Sequence, residues 1–341
     1  MPRISSLLLM SAGLAALAAC SDNNPLTQAP QAPAGQASPE HLGIMPLRGV
    51  PQGPRFNNGN ELNHGDAGTA HSALVQAGIN YHGGPVLQSG TKVAAVYWSA
   101  TTIYNGGPTP GTTGAGSADG SNVGYFLNHI GGSPYFNINT SYTNAAGTPI
   151  VNSVSYTQYY ANNTSAPSGK TRVTDSQMLS MLQTAFNTGK LSYDAGTLYA
   201  IFTQGSVNLG GGFGTQYCAY HSWGTVTVGG VARTVLYAAM PDDYAKPSAC
   251  SSGLAAANGD PHADAEVSVL VHEIEETTTD MNGNAWYDNQ GYENADKCAW
   301  NYGTTFTTPS GGVANVTLGT KSFLIQRNWL NVGSGSCAIS Y

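Results

Sequence analysis

Charge is what this sequence has least of. Of its 341 residues only 12 are Lys or Arg and 19 are Asp or Glu, 9% of the chain, where an ordinary soluble domain carries about a quarter. With a net charge of −7 and a pI near 5.5 there is no basic face for a phosphate backbone, which excludes nucleic acid as a partner. The composition of a disordered chain, high net charge with few aromatics, is absent too, since 19 residues are Tyr. After the first twenty residues no apolar run is long enough to span a bilayer. Cysteine is scarce, five in all. In their place stand 43 Gly and 18 Pro, with Asn, Ser, Thr and Tyr to build the surface. That mixture fits an exported protein with β-structure.

The N-terminus gives the route of export. Arg3 supplies a short positive region, and Leu7 to Leu17 is an apolar stretch too short for a transmembrane helix. It ends in Leu17-Ala18-Ala19-Cys20, the pattern of a bacterial lipobox. Residues 1–19 are therefore expected to be a lipoprotein signal peptide, with Cys20 lipidated and the chain anchored in the cell envelope. Ser21 after the cysteine favours the outer membrane or cell surface. Setting Cys20 aside leaves Cys218, Cys250, Cys298 and Cys337, an even set for an oxidising compartment. Neighbours in sequence close the shorter loops, which favours Cys218–Cys250 with Cys298–Cys337. Residues 20–55 are rich in Pro, Gln and Ala and read as a disordered tether.

From residue 56 to 341 no linker-like break interrupts the chain, so one domain is expected. Lys92 to Ala100, Val151 to Tyr160, Leu198 to Phe202 and Lys321 to Trp329 read as strands. Tyr104 to Val123 is rich in Gly, Thr and Ser and reads as a long loop. Gly229-Gly230 joins Thr225–Val228 to Val231–Ala239 as a hairpin. Thr174 to Asn187 has a capping-box start, one apolar face and a terminal Gly189, the marks of a helix, and Ala265 to Thr278 is a second. Strands and helices alternate without regular βαβ spacing. The expectation is an α+β fold, a mixed twisted sheet with helices packed on it.

The scarce charge is not spread evenly. Ten of the 19 acidic residues lie between Asp260 and Asp296, and that window contains no Lys or Arg. So many carboxylates repel one another unless a cation sits among them. Within the window, His272-Glu273-Ile274-Glu275-Glu276 lies on the second helix, where residues four apart share a face, so His272 and Glu276 can hold one ion. A Gly-x-Ser-x-Gly elbow is missing around Ser206 and Ser222, and Gly210 to Gly214 lacks the Lys-Ser/Thr of a phosphate loop. Asp280, Asn282, Asn284 and Asp288 match the first, third, fifth and ninth positions of a calcium loop. Its sixth position is Ala285 and its twelfth Gly291, in place of Gly and Glu. The tyrosines Tyr156, Tyr159 and Tyr160, and Tyr81 beside His82, could line a sugar-binding groove.

The helix segment resembles the HExxH helix of the gluzincin group of zinc proteases, with Glu276 where the second histidine stands. That resemblance implies Glu273 as general base, Glu293 as third zinc ligand and Asp296 as the carboxylate that orients His272. His221, close to Cys218, is the competing ligand. A wider set of segments also looks familiar: Tyr81-His82-Gly83-Gly84-Pro85-Val86-Leu87, Tyr97-Trp98, Cys218-Ala219-Tyr220-His221-Ser222, Trp286-Tyr287-Asp288 and Glu293-Asn294-Ala295-Asp296-Lys297-Cys298. In this order, with Cys337 near the end, they resemble the phosphate-induced protein 1 / EXORDIUM family of secreted proteins, and its microbial relatives above all. The resemblance implies secretion and disulfides, and no settled reaction.

Two functions follow as expectations. One is a lipid-anchored, monomeric zinc hydrolase acting on peptides or cell-wall material. The other is a non-catalytic module, stabilised by zinc or calcium, that binds cell-wall polysaccharide or protein.

Overall fold

The computed structural model describes residues 43–50 and 78–341. The expected signal peptide, Cys20 and most of the expected tether lie outside the described residues. No helix among the described residues is long and apolar enough to cross a membrane.

The core is a mixed sheet of seven strands: β1 (Gly43–Pro46), β2 (Thr91–Tyr97), β3 (Thr113–Ala115), β4 (Val154–Tyr160), β5 (Thr197–Phe202), β6 (Tyr217–Val228) and β7 (Val231–Met240). They lie side by side in the order β1-β6-β7-β5-β2-β4-β3. The middle four, β7, β5, β2 and β4, are parallel. Every residue of β5 is buried, as a parallel strand covered on both faces should be. Strand β6 runs antiparallel to β7 through Gly229-Gly230, both at positive φ (57° and 79°), the geometry that only glycine meets cheaply in a tight hairpin.

Among the described residues four helices complete the frame: α1 (Asn122–His129), α2 (Asp175–Asn187), α3 (Pro247–Cys250) and α4 (Pro261–Asp280). Helix α2 begins with the capping box expected at Thr174 and Gln177. Alternation along β6 places α2 and α4 on opposite faces of the sheet. Tyr220 donates its hydroxyl to Asp175 of α2 at 2.6 Å, and Leu179 packs where a Cβ on Gly224 would sit. The intervening His221 meets Glu273 of α4 instead. Val267, Leu270, Val271 and Ile274 join the strand residues in one core, and α1 packs on α4.

Three expectations need correction. Gly43–Pro46 belongs to the sheet as its edge strand, not to a tether; four residues bounded by Gly and Pro carry too little pattern to reveal a strand in sequence. The stretch Tyr104 to Val123 holds β3, a short 3-10 turn and the start of α1. The strand expected over Lys321 to Trp329 is two short ones, Lys321–Phe323 and Asn328–Leu330, in separate hairpins. Both expected disulfides are present, Cys218–Cys250 tying β6 to α3 and Cys298–Cys337 tying a 3-10 turn to the last strand.

Candidate metal centre

Helix α4 starts at Asp260, whose carboxylate accepts the Ala263 N–H at 3.3 Å, with Pro261 in the first turn. It then runs through the protein rather than across its surface. Spacings of seven, three and four residues line up Glu266, Glu273, Glu276 and Asp280 along one side, and each is at most 1% exposed. A buried row of carboxylates is costly unless each finds protons, donors or cations.

The chemistry concentrates in the middle of that row. His272 Nδ1 lies 3.2 Å from the amide oxygen of Gln326, whose own amide nitrogen donates to the Ala295 carbonyl at 2.9 Å. Gln326 thus accepts from Nδ1, which puts the lone pair of the neutral ring on Nε2. That atom lies 2.9 Å from Glu276 Oε1 and 3.6 Å from Asp296 Oδ1. The other oxygen of Asp296 accepts the Glu293 N–H at 3.1 Å, and the Asp296 N–H donates to Glu276 Oε1 at 3.1 Å.

A second group adjoins the first. His221 Nδ1, carried by β6, lies 3.2 Å from Glu273 Oε2 and 3.6 Å from Glu276 Oε2, and its Nε2 is 3.9 Å from Glu293 Oε1. Strand β1 lies over this group with Gly43 opposite His221. The Met45 N–H donates to Glu273 Oε1 at 3.2 Å. A Cβ at Gly43 would come within 2.0 Å of the His221 ring and 2.5 Å of Glu276 Oε2, so only glycine fits there.

The sequence-derived residues therefore converge, in a different grouping from the one expected. His272 and Glu276 share their group with Asp296, while Glu293 lies beside His221. Both groups, His272–Glu276–Asp296 and His221–Glu273–Glu276, offer ligand atoms within 4.8 Å of one another. The calcium-loop residues are divided. Asp280 Oδ1 accepts the N–H groups of Asn284 and Ala285, each at 2.6 Å. Asp288 instead pairs with Lys297 at 2.8 Å and caps its own turn through the N–H groups of Gln290 and Tyr292. Burial, aided by the Glu276 charge, lifts Asp280 to about 7. Of the tyrosines, Tyr156 is bonded to the buried Asp119, Tyr81 packs on Trp286, and Tyr160 lines a cavity of about 760 Å³ with Trp98 and Met181.

Gln326, Gly43 and Met45 were not legible in advance. Nothing near Gln326 in sequence points to a histidine fifty residues earlier, and β1 lay in a stretch without pattern. Glu275, adjacent to the ligand set, faces elsewhere. Its carboxyl accepts from the side-chain amides of Asn139 and Asn328, and burial holds its pKa well above the ordinary range.

The model of the phosphate-induced protein 1 conserved region matches residues 129–323, more than half of the chain. This chain belongs to that family. The matched region contains His221, His272, Glu273, Glu276, Glu293 and Asp296, whereas β1 precedes it. No curated protein and no solved structure matches the chain. The site of this phosphate-induced protein 1 family member is therefore read from its own geometry.

Proposed function

We propose that this family member is a lipid-anchored envelope protein and a zinc-dependent hydrolase of peptides, with α4 as a zincin-like helix. The observation that carries the reading is the convergence of His272 Nε2, Glu276 Oε1 and Asp296 Oδ1. One imidazole nitrogen and two carboxylate oxygens are a donor set that zinc accepts. The lone pair that Gln326 fixes on Nε2 points at those oxygens, a setting that a cation between them satisfies. When bound, zinc would polarise a carbonyl and acidify water. Glu273, one step round the helix, is the base in this reading, and His221 holds its carboxylate in place. The lipobox pattern at residues 17–20 and the two disulfides support export to an oxidising compartment.

Burial favours a second reading. His272, Glu273 and Glu276 are fully buried and β1 covers them, which suits a closed, structural ion in a module that binds cell-wall polysaccharide or protein. The ion of the second reading is zinc or calcium, although in the expected calcium loop the ninth-position carboxylate, Asp288, pairs with Lys297.

The experiment is elemental analysis of the purified chain followed by a peptide-library screen beside Glu273→Gln. The hydrolase reading expects bound zinc, turnover, and a loss of about 10²–10⁴-fold in the variant. Zinc without turnover supports the structural reading. Absence of zinc overturns the hydrolase reading, and absence of any bound metal overturns both.

A further inference from the structure

We infer that the centre holds two divalent cations, bridged by the Glu276 carboxylate, with His272 and Asp296 on one ion and His221 and Glu273 on the other. This rests on the metal-centre reading above and extends it from one ion to a pair.

Three observations carry it. First, the two oxygens of Glu276 face different groups: Oε1 lies 2.9 Å from His272 Nε2, and Oε2 lies 3.6 Å from His221 Nδ1. A carboxylate whose oxygens each meet a separate histidine has the arrangement that bridges paired metals about 3.5–4 Å apart. Second, the ligand-sized groups His272–Glu276–Asp296 and His221–Glu273–Glu276 share Glu276 and no other residue. Each supplies an imidazole nitrogen and carboxylate oxygens, a set suited to zinc, manganese or iron. Third, both groups are buried: none of Glu273, Glu276, Glu293 and Asp296 is more than 5% exposed, and carboxyls brought together out of water call for protons, donors or cations. Gly43 fits the same picture, since a side chain there would enter the space between His221 and Glu276.

The two-ion centre changes the role of Glu273. With one ion Glu273 is a base and its loss leaves the metal in place; with two it is a ligand and its loss releases an ion.

The test uses the full-length chain in detergent, stripped with a chelator and re-equilibrated with Zn²⁺ or Co²⁺. The expected result is two ions per chain in the wild type and one in Glu273→Gln, with the cobalt form showing magnetic coupling between its ions. One ion in both proteins overturns the pair and leaves the single-metal reading intact. No ion in the wild type overturns that reading as well. Two ions without coupling overturn the bridging role of Glu276. These outcomes hold whatever the folding of the variant, because the wild-type count and coupling decide the main point by themselves.

Discussion

Glu275 stands between two groups of ligands and belongs to neither, which makes it a clean probe of what burial does to a carboxyl in this helix. Two asparagine amides donate to it, yet burial outweighs them and its pKa is raised. A carboxyl whose folded pKa lies above its unfolded value binds its proton more tightly in the native state. Its contribution to stability is complete below the ordinary carboxylate range and is lost as pH rises toward the folded pKa. The loss amounts to about 1.4 kcal/mol per pH unit per proton. Glu275→Gln copies the neutral form. The variant should therefore match the wild type near pH 4 and exceed it in denaturant stability at neutral pH. Equal pH profiles for the two proteins would show that Glu275 is ionised in the native state.

At the scale of elements, the decisive meeting is between β1, β6 and α4. The period of two along β6 delivers His221 to the α4 face, and the period of 3.6 along α4 delivers Glu273 and Glu276 to meet it. Strand β1 seals the contact through Gly43 and the Met45 N–H. Gly43→Val should force β1 away from β6, costing about 1–3 kcal/mol of overpacking and speeding the exchange of bound metal. Hydrogen exchange at Met45 and the rate of chelator extraction would read this; unchanged values would mean that β1 does not cover the centre. The same elements explain what was legible beforehand. The capping box at Thr174, the Gly229-Gly230 turn and the acidic face of α4 are local signals, written within a few residues, and the structure has each of them. The meeting of Asp296 with His272 was expected, but the partner of His272 at Gln326, the place of Glu293 beside His221, and the pairing of β1 are set by contacts between distant segments. Spacing along the chain carries no information about them.

For the whole molecule, the two disulfides tie together segments built from short elements. The segment after α4 is made of short hairpins and turns, and Cys298–Cys337 closes it over a sequence separation of 39. Cys337→Ser should cost about 2–5 kcal/mol, by the freedom a disulfide removes from the unfolded chain. An unchanged melting temperature would mean that this segment is held by its other contacts, such as the Arg327 guanidinium on Asn301. Metal removal acts on the opposite side of the balance, on the native state. Stripped of cations, the buried carboxylates around Glu276 must take up protons or repel one another; burial, with the Glu276 charge adding to it, already lifts Asp280 to about 7. Chelation should therefore lower the melting temperature, more at pH 8 than at pH 5, because at the lower pH protons replace the missing ions. Returning Zn²⁺ should restore it. A chelator effect of equal size at both pH values would place the metal away from this row of carboxylates, and the acidic face of α4 would then be a consequence of packing alone.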